Sequence, residues 1–88
     1  MTNQKTILIT GASSGLGKAL AEKLAKDYQV VILARNEQAL QEVAAKANCD
    51  YAVCDVRDAK QVSKAFAEIA QKHGSIDVLI NNAGIINK

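Results

Sequence analysis

The chain has no long apolar run, no block of like charge, only two cysteines and a single histidine. Each scarcity excludes something. The apolar stretch nearest the start, Ile7-Leu8-Ile9, is far too short for a signal peptide, and nothing approaches the roughly 20 residues that a membrane-spanning helix needs. The net charge of +2 comes from 11 basic and 9 acidic residues scattered along the chain, so no patch points to nucleic acid or to a membrane surface. Cys49 sits just before a predicted strand and Cys54 within it; five positions of extended chain put them on opposite faces and roughly 16 Å apart, beyond disulfide reach. They read as free, mostly buried thiols of a reducing compartment rather than as redox or metal groups, and a cytoplasmic location is the default expectation.

What remains is an ordinary globular composition, with 49% apolar and 23% charged residues, so the chain is expected to fold. Its 88 residues allow one compact unit. Such a unit buries roughly 60% of the surface its unfolded form exposes, which leaves a thin margin of stability.

Strand and helix patterns alternate from end to end. Lys5 to Thr10 reads as a short apolar strand, followed by the turn-prone Gly11-Ala12-Ser13-Ser14-Gly15 and a helix over Leu16–Lys26 whose apolar positions are Leu16, Ala19, Leu20 and Leu24. Val30-Val31-Ile32-Leu33-Ala34 is a continuous apolar run, the pattern of a strand covered on both faces. A second helix is capped by Asn36, keeps Leu40, Val43, Ala44 and Ala47 on one face, and ends at Asn48. A third strand, about Asp50 to Cys54, precedes a third helix; there Asp58 and Gln61 resemble a capping box, Val62, Ala65, Phe66, Ile69 and Ala70 form the stripe, and Lys72, His73 and Gly74 close it. Ile76 to Ile80 is a fourth strand running into Asn81-Asn82-Ala83-Gly84. This order specifies an α/β fold with a parallel sheet. Right-handed crossovers give the strand order 3-2-1-4 and put the third helix on the face opposite the first two. Ligands of open α/β sheets bind at the carboxyl ends of the strands where the order reverses, and both glycine-bearing segments fall there.

Gly11, Gly15 and Gly17 lie between the first strand and the first helix. Glycines here let the chain turn tightly and let backbone approach a pyrophosphate, while the helix N-terminus offers unpaired amides. Gly11-x-Ser13-x-Gly15 also matches the nucleophile elbow of serine hydrolases. That reading is disfavoured, because too few residues precede Gly11 to hold an oxyanion loop and an earlier strand, and because the lone His73 has no acidic orienter in view. No Walker lysine–serine pair is present, so a nucleoside triphosphatase is disfavoured too. The second strand ends in Ala34-Arg35-Asn36, 17 to 19 positions beyond Gly17, where a site selective for NAD usually carries an acidic residue. Arg35 can instead bind a 2′-phosphate in bidentate fashion and stack on adenine.

The spacing Gly-x-x-x-Gly-x-Gly, with Thr10 before it, resembles the short-chain dehydrogenase/reductase family. Asp55-Val56 after the third strand and Asn81-Asn82-Ala83-Gly84 after the fourth match that family's adenine site and its Asn-Asn-Ala-Gly signature. The resemblance covers essentially the whole chain and is nearest to the NADP-preferring division of standard length. It implies a Rossmann domain over residues 1–88 that corresponds to the first half of the family's fold. It further implies NADP(H) preferred over NAD(H), held by Gly11, Ser13, Ser14, Gly15, Leu16 and Gly17 at the pyrophosphate, by Arg35 and Asn36 at the 2′-phosphate, by Asp55 and Val56 at adenine, and by Asn82, Ala83 and Gly84 beside the ribose. The first Asn of the signature, Asn81, is expected to tie neighbouring strands together.

Members of this family transfer hydride between the nicotinamide and a carbonyl or alcohol, using a Tyr-x-x-x-Lys pair, a Ser and an Asn that all lie beyond the Asn-Asn-Ala-Gly signature. The chain ends at Lys88, four residues after Gly84, and neither Tyr28 nor Tyr51 has a lysine four positions on. No catalytic residue and no metal ligand is therefore assigned, and the chain alone is expected to be inactive. Strand 76–81 is expected to present an apolar edge open to self-association or to a partner chain. Three readings stay open: the cofactor-binding part of an oxidoreductase, an NADP-binding or sensing module without turnover, and a subunit that completes its sheet with another polypeptide.

Overall fold

The computed structural model describes residues 5–11 and 15–82. Seven elements follow one another: β1 (Thr6–Thr10), α1 (Gly15–Leu24), β2 (Gln29–Ala34), α2 (Glu37–Ala47), β3 (Asp50–Val53), α3 (Ala59–His73) and β4 (Val78–Asn81). The strands form one parallel sheet in the order β3-β2-β1-β4, which is the order expected from the crossover rule.

The two-residue period of the strands divides the core between the two faces of the sheet. Ile7 and Ile9 of β1 and Val30 and Ile32 of β2 point to one side, where Ala21 of α1 and Leu40, Val43 and Ala44 of α2 cover them. Leu8, Val31 and Leu33 point to the other side, under Ala65 and Ile69 of α3. Cys49 packs against the first cluster and Cys54 belongs to the second, so the two free thiols lie on opposite faces. Burial, with help from the charge of Asp50, pushes the Cys49 thiol up to about 11. Burial and the charges of Asp55 and Asp58 push Cys54 up as well. Both are kept protonated and weakly nucleophilic.

Two helices sit differently from their sequence pattern. The buried positions of α1 are Gly17 and Ala21, with Leu20 and Leu24 packed beside them. Glycine at the contact lets the helix lie close to the sheet, and this rotation leaves Leu16 65% exposed and Ala19 exposed as well. In α3 the stripe is Val62, Ala65, Phe66 and Ile69, and Ala70 faces out. Asn36 caps α2 by accepting from the Ala39 N–H at 3.0 Å, and Asn48 ends it in the left-handed conformation with φ 58°.

The amino ends of the strands are clasped by two aspartates. Asp77 accepts from the Thr6 N–H (2.8 Å) and returns its own N–H to the Thr6 carbonyl (2.9 Å). This side-chain contact holds the chain just before β4, which accordingly begins at Val78 rather than Ile76. Asp50, at the start of β3, accepts at Oδ2 from Lys72 Nζ and is paired with His73 Nε2, each at 2.9 Å, and at Oδ1 from the Tyr51 N–H. His73 therefore does have an acidic orienter, contrary to the sequence expectation. The pair lies at the amino end of β3, across the sheet from Gly11 at the carboxyl end of β1, and supplies no base to the glycine segment.

β4 is an edge strand among the described residues, with Val78 and Leu79 exposed. No helix among the described residues is long and apolar enough to cross a membrane.

Leu8 has no exposed surface. Replacing it by alanine should cost about 2–5 kcal/mol in a denaturant titration. That is a large part of the roughly 4–13 kcal/mol expected for a domain of this size, whereas Leu79→Ala on the open edge should cost under about 0.5 kcal/mol. A second expectation concerns pH. Burial opposes ionisation of Asp50, but hydrogen bonds from Lys72, His73 and the Tyr51 N–H, with the Lys72 charge, outweigh it and hold the carboxyl below the usual range. A depressed folded-state pKa contributes stability that is complete above the unfolded value of about 3.9 and is lost as pH falls through the folded value. Asp50→Asn should lower the melting temperature near neutral pH and flatten its decline below about pH 4, as thermal denaturation across a pH series will record.

Candidate nucleotide-binding site

Because every strand runs the same way, four strand ends meet at one edge of the sheet. β1 continues to Gly11, whose N–H donates to the Leu33 carbonyl at 2.9 Å and carries the β1–β2 ladder one residue further. Gly11 has φ 68° and Gly15, the first residue of α1, φ 58°, both in the left-handed region that a side chain disfavours. A Cβ built on Gly15 would meet no described atom within 4 Å. The first turn of α1 carries no acidic residue that would offset the positive end of the helix dipole. Gly17 is buried behind it, and Leu16 projects outward.

The end of β4 is stitched to the start of the glycine segment. The Thr10 hydroxyl donates to Asn81 Oδ1 at 2.9 Å and accepts from the Asn82 N–H at 3.1 Å, while Asn82 Nδ2 donates to the Gly11 carbonyl at 3.3 Å. Asn81 thus ties strands together as expected. Asn82 does the same, so its side chain braces the glycine turn.

On the other side of β1 lie the ends of β2 and β3. The Cys54 N–H donates to the Ala34 carbonyl at 2.9 Å, and the next residue on each strand is charged: Arg35 and Asp55. Arg35 is exposed, and among the described residues its guanidinium makes no hydrogen bond. Asn36 beside it uses its side-chain oxygen as the cap of α2. Asp55 opens a turn in which the Asp58 N–H donates to the Asp55 carbonyl at 2.9 Å. With the Asp58 N–H already used, Gln61 cannot complete an ordinary capping box. Its Oε1 accepts instead from the Asp55 N–H (2.9 Å) and its Nε2 donates to Asp58 Oδ2 (3.2 Å), while Asp58 caps α3. Val56, 36% exposed, lies in this turn.

The sequence reading passed over Arg57. Its N–H and Nε donate to Asp55 Oδ1 at 3.0 and 3.1 Å, and Nη2 donates to Oδ2 at 3.1 Å. These hydrogen bonds, with the Arg57 charge and a further contribution from Arg35, hold the Asp55 carboxyl at about 2. The signal was an Asp followed two residues later by Arg across a turn, a spacing at which an aspartate side chain meets the backbone of residue i+2.

Of the residues expected at the site, Gly11, Gly15, Leu16, Gly17, Arg35, Asn36, Asp55, Val56 and Asn82 stand along this carboxyl edge. Ser13, Ser14, Ala83 and Gly84 lie outside the described residues. No group of His, Cys, Asp and Glu among the described residues could hold a metal ion.

A doubly wound parallel sheet with Gly11 and the start of α1 at its switch point is a fold of the Rossmann type, the class that binds nucleotides at this crevice. The short chain dehydrogenase family profile matches residues 5–88, and the chain belongs to that family. It is 40% identical to a 3beta-hydroxysteroid dehydrogenase of Mediterraneibacter gnavus, over 96% of this chain and 33% of that protein. It is likewise 40% identical to an NADP-dependent 3-hydroxy acid dehydrogenase of Schizosaccharomyces pombe, over 92% of this chain and 34% of that protein. Among solved structures, a variant actinorhodin polyketide ketoreductase with NADPH superposes with a TM-score of 0.89 at 33% identity, covering 93% of this chain and 34% of the other. The chain thus spans about a third of the length of these relatives.

Thr10→Val removes the hydroxyl between Asn81 and Asn82 while keeping the volume. It should cost about 1–3 kcal/mol in a denaturant titration, and amide hydrogen exchange should rise first at Asn82.

Proposed function

We propose that the chain binds NADP(H) in preference to NAD(H), as the adenosine and pyrophosphate portion of an oxidoreductase that moves hydride between the nicotinamide and a carbonyl or alcohol. The observation that carries the preference is the end of β2, where Ala34 stands at the place of a ribose-binding carboxylate and an exposed Arg35 follows it. A carboxylate there would repel a 2′-phosphate, whereas a guanidinium can grip it through two parallel hydrogen bonds. The NADP named for the yeast relative and the NADPH of the ketoreductase structure support the same reading.

In this reading Gly11, Ser13, Ser14, Gly15, Leu16 and Gly17 take the pyrophosphate, aided by the N-terminus of α1, whose first turn carries no acidic residue. That no described atom lies within 4 Å of a Cβ built on Gly15 suits the approach of phosphate to backbone. Arg35, with the amide nitrogen of Asn36, takes the 2′-phosphate. The Asp55 carboxylate accepts from the adenine amine, and the exposed Val56 and Leu16 offer apolar surface to the rings. Asn82, Ala83 and Gly84 pass beside the ribose, with Asn82 acting mainly through the Gly11 turn that it braces. The bound cofactor would supply the hydride; the residues of this chain hold and orient it.

Titration of the chain with NADPH and NADH, by calorimetry or nucleotide fluorescence, tests the assignment. Micromolar NADPH binding is expected, with NADH weaker, and Arg35→Ala should weaken NADPH by about ten- to a hundredfold with little change for NADH, the size of one or two charge-assisted hydrogen bonds. NADH binding equal to or tighter than NADPH overturns the preference.

A further inference from the structure

The site contains a conflict that Arg57 resolves. A site that accepts a 2′-phosphate at Arg35 has a carboxylate, Asp55, on the neighbouring strand end. Arg35 and Asp55 are each the residue after the bonded pair Ala34–Cys54, so the two side chains start from strands about 4.8 Å apart. A carboxylate and a 2′-phosphate held at neighbouring strand ends are separated by about a Debye length or little more, so their repulsion is screened only in part at physiological salt. Removing the carboxylate would remove the acceptor for adenine. Arg57 keeps the acceptor and cancels the charge. It places two donors on Oδ1 and one on Oδ2. A carboxylate offers about four acceptor positions, so one remains, on Oδ2.

We propose that Arg57 is a positioning residue that sets cofactor selectivity, fixing the Asp55 carboxylate with one Oδ2 position left for an amine donor and neutralising it toward the 2′-phosphate. This inference rests on the adenosine-site reading above. Arg57 acts through Asp55. Its side chain is 72% exposed and that of Asp55 25%, so substituting Arg57 opens no cavity and leaves the core intact. The charge of Arg35 also reaches Asp55 and favours its ionised form, in keeping with the closeness of the two strand ends.

The test is the ratio of NADPH to NADH affinity in the 88-residue chain, measured for Arg57→Ala, Arg57→Lys, and Arg57→Ala combined with Asp55→Asn. The ratio should follow the net charge of the pair. Arg57→Ala leaves an uncovered carboxylate and should lower the ratio about three- to tenfold at low salt, less at high salt. Arg57→Lys keeps the charge and should hold the ratio within about twofold of the parent. The double variant, neutral again, should recover it. A merely structural role would weaken both nucleotides alike and would not be rescued by Asp55→Asn. An unchanged ratio in Arg57→Ala, or no recovery in the double variant, overturns the inference while the parent still binds NADPH. A parent chain that binds neither nucleotide overturns the site reading, and the inference with it.

Discussion

The central strand β1 is buried along its whole length, including Thr6 at 2% and Thr10 at 5% exposure, and it is hydrogen-bonded on both sides. A strand in that position must be apolar on both faces and must have its polar backbone satisfied by neighbours running in a fixed direction. Parallel pairing to β2 and β4 meets that demand, and the rest of the molecule follows from it. The crossovers need helices; the helices need a face of the sheet to cover; and the strand ends are all delivered to the same edge. The position of β1 between β2 and β4 also makes the crevice, because the chain leaves β1 in one direction toward α1 and reaches β4 only after three crossovers.

The two edges of the sheet are chemically different in a way that serves this plan. At the amino edge, Asp50 and Asp77 spend their carboxylates on the structure itself, tying α3 to β3 and the approach to β4 to β1. At the carboxyl edge, Thr10, Asn81 and Asn82 use neutral hydrogen bonds to shape turns, Asp58 alone spends its carboxylate on a helix cap, and the charged groups Arg35, Asp55 and Arg57 are left near solvent. Structure is locked at one end and chemistry is presented at the other.

Much of this was legible in residue order. Val30 to Ala34 has the pattern of a doubly covered strand, and the alternation of strands and helices with right-handed crossovers gives the observed strand order. The glycine spacing, Ala34-Arg35 and Asp55-Val56 located the carboxyl edge because each sits directly after an apolar run. What escaped the pattern was whatever depended on three-dimensional partners. The rotation of α1 that exposes Leu16 depends on how closely Gly17 approaches the sheet, which hydrophobic spacing alone does not report. The pairing of His73 with Asp50 joins residues 23 apart, and periodicity says nothing about such pairs. Asp77 looked like a residue inside a strand because composition does not distinguish a polar strand position from a clasp before the strand starts. Arg57 was hidden for a related reason: an arginine in a polar turn is usually solvated, and only the geometry reveals that it covers the Asp55 carboxylate.

The stitching of Thr10 to Asn81 and Asn82 joins positions 71 and 72 apart in the chain. Strands β1, β2 and β3 can pair in the order in which they are synthesised, each over a short separation, whereas the crevice does not exist until β4 has been made and has travelled back past all of them. Contacts of such long sequence separation are the slow ones in folding, because chain entropy is spent before any bond is gained. The crevice is therefore completed only when β4 has paired with β1, and a nucleotide that fills it rewards only the chain in which β4 has found its place.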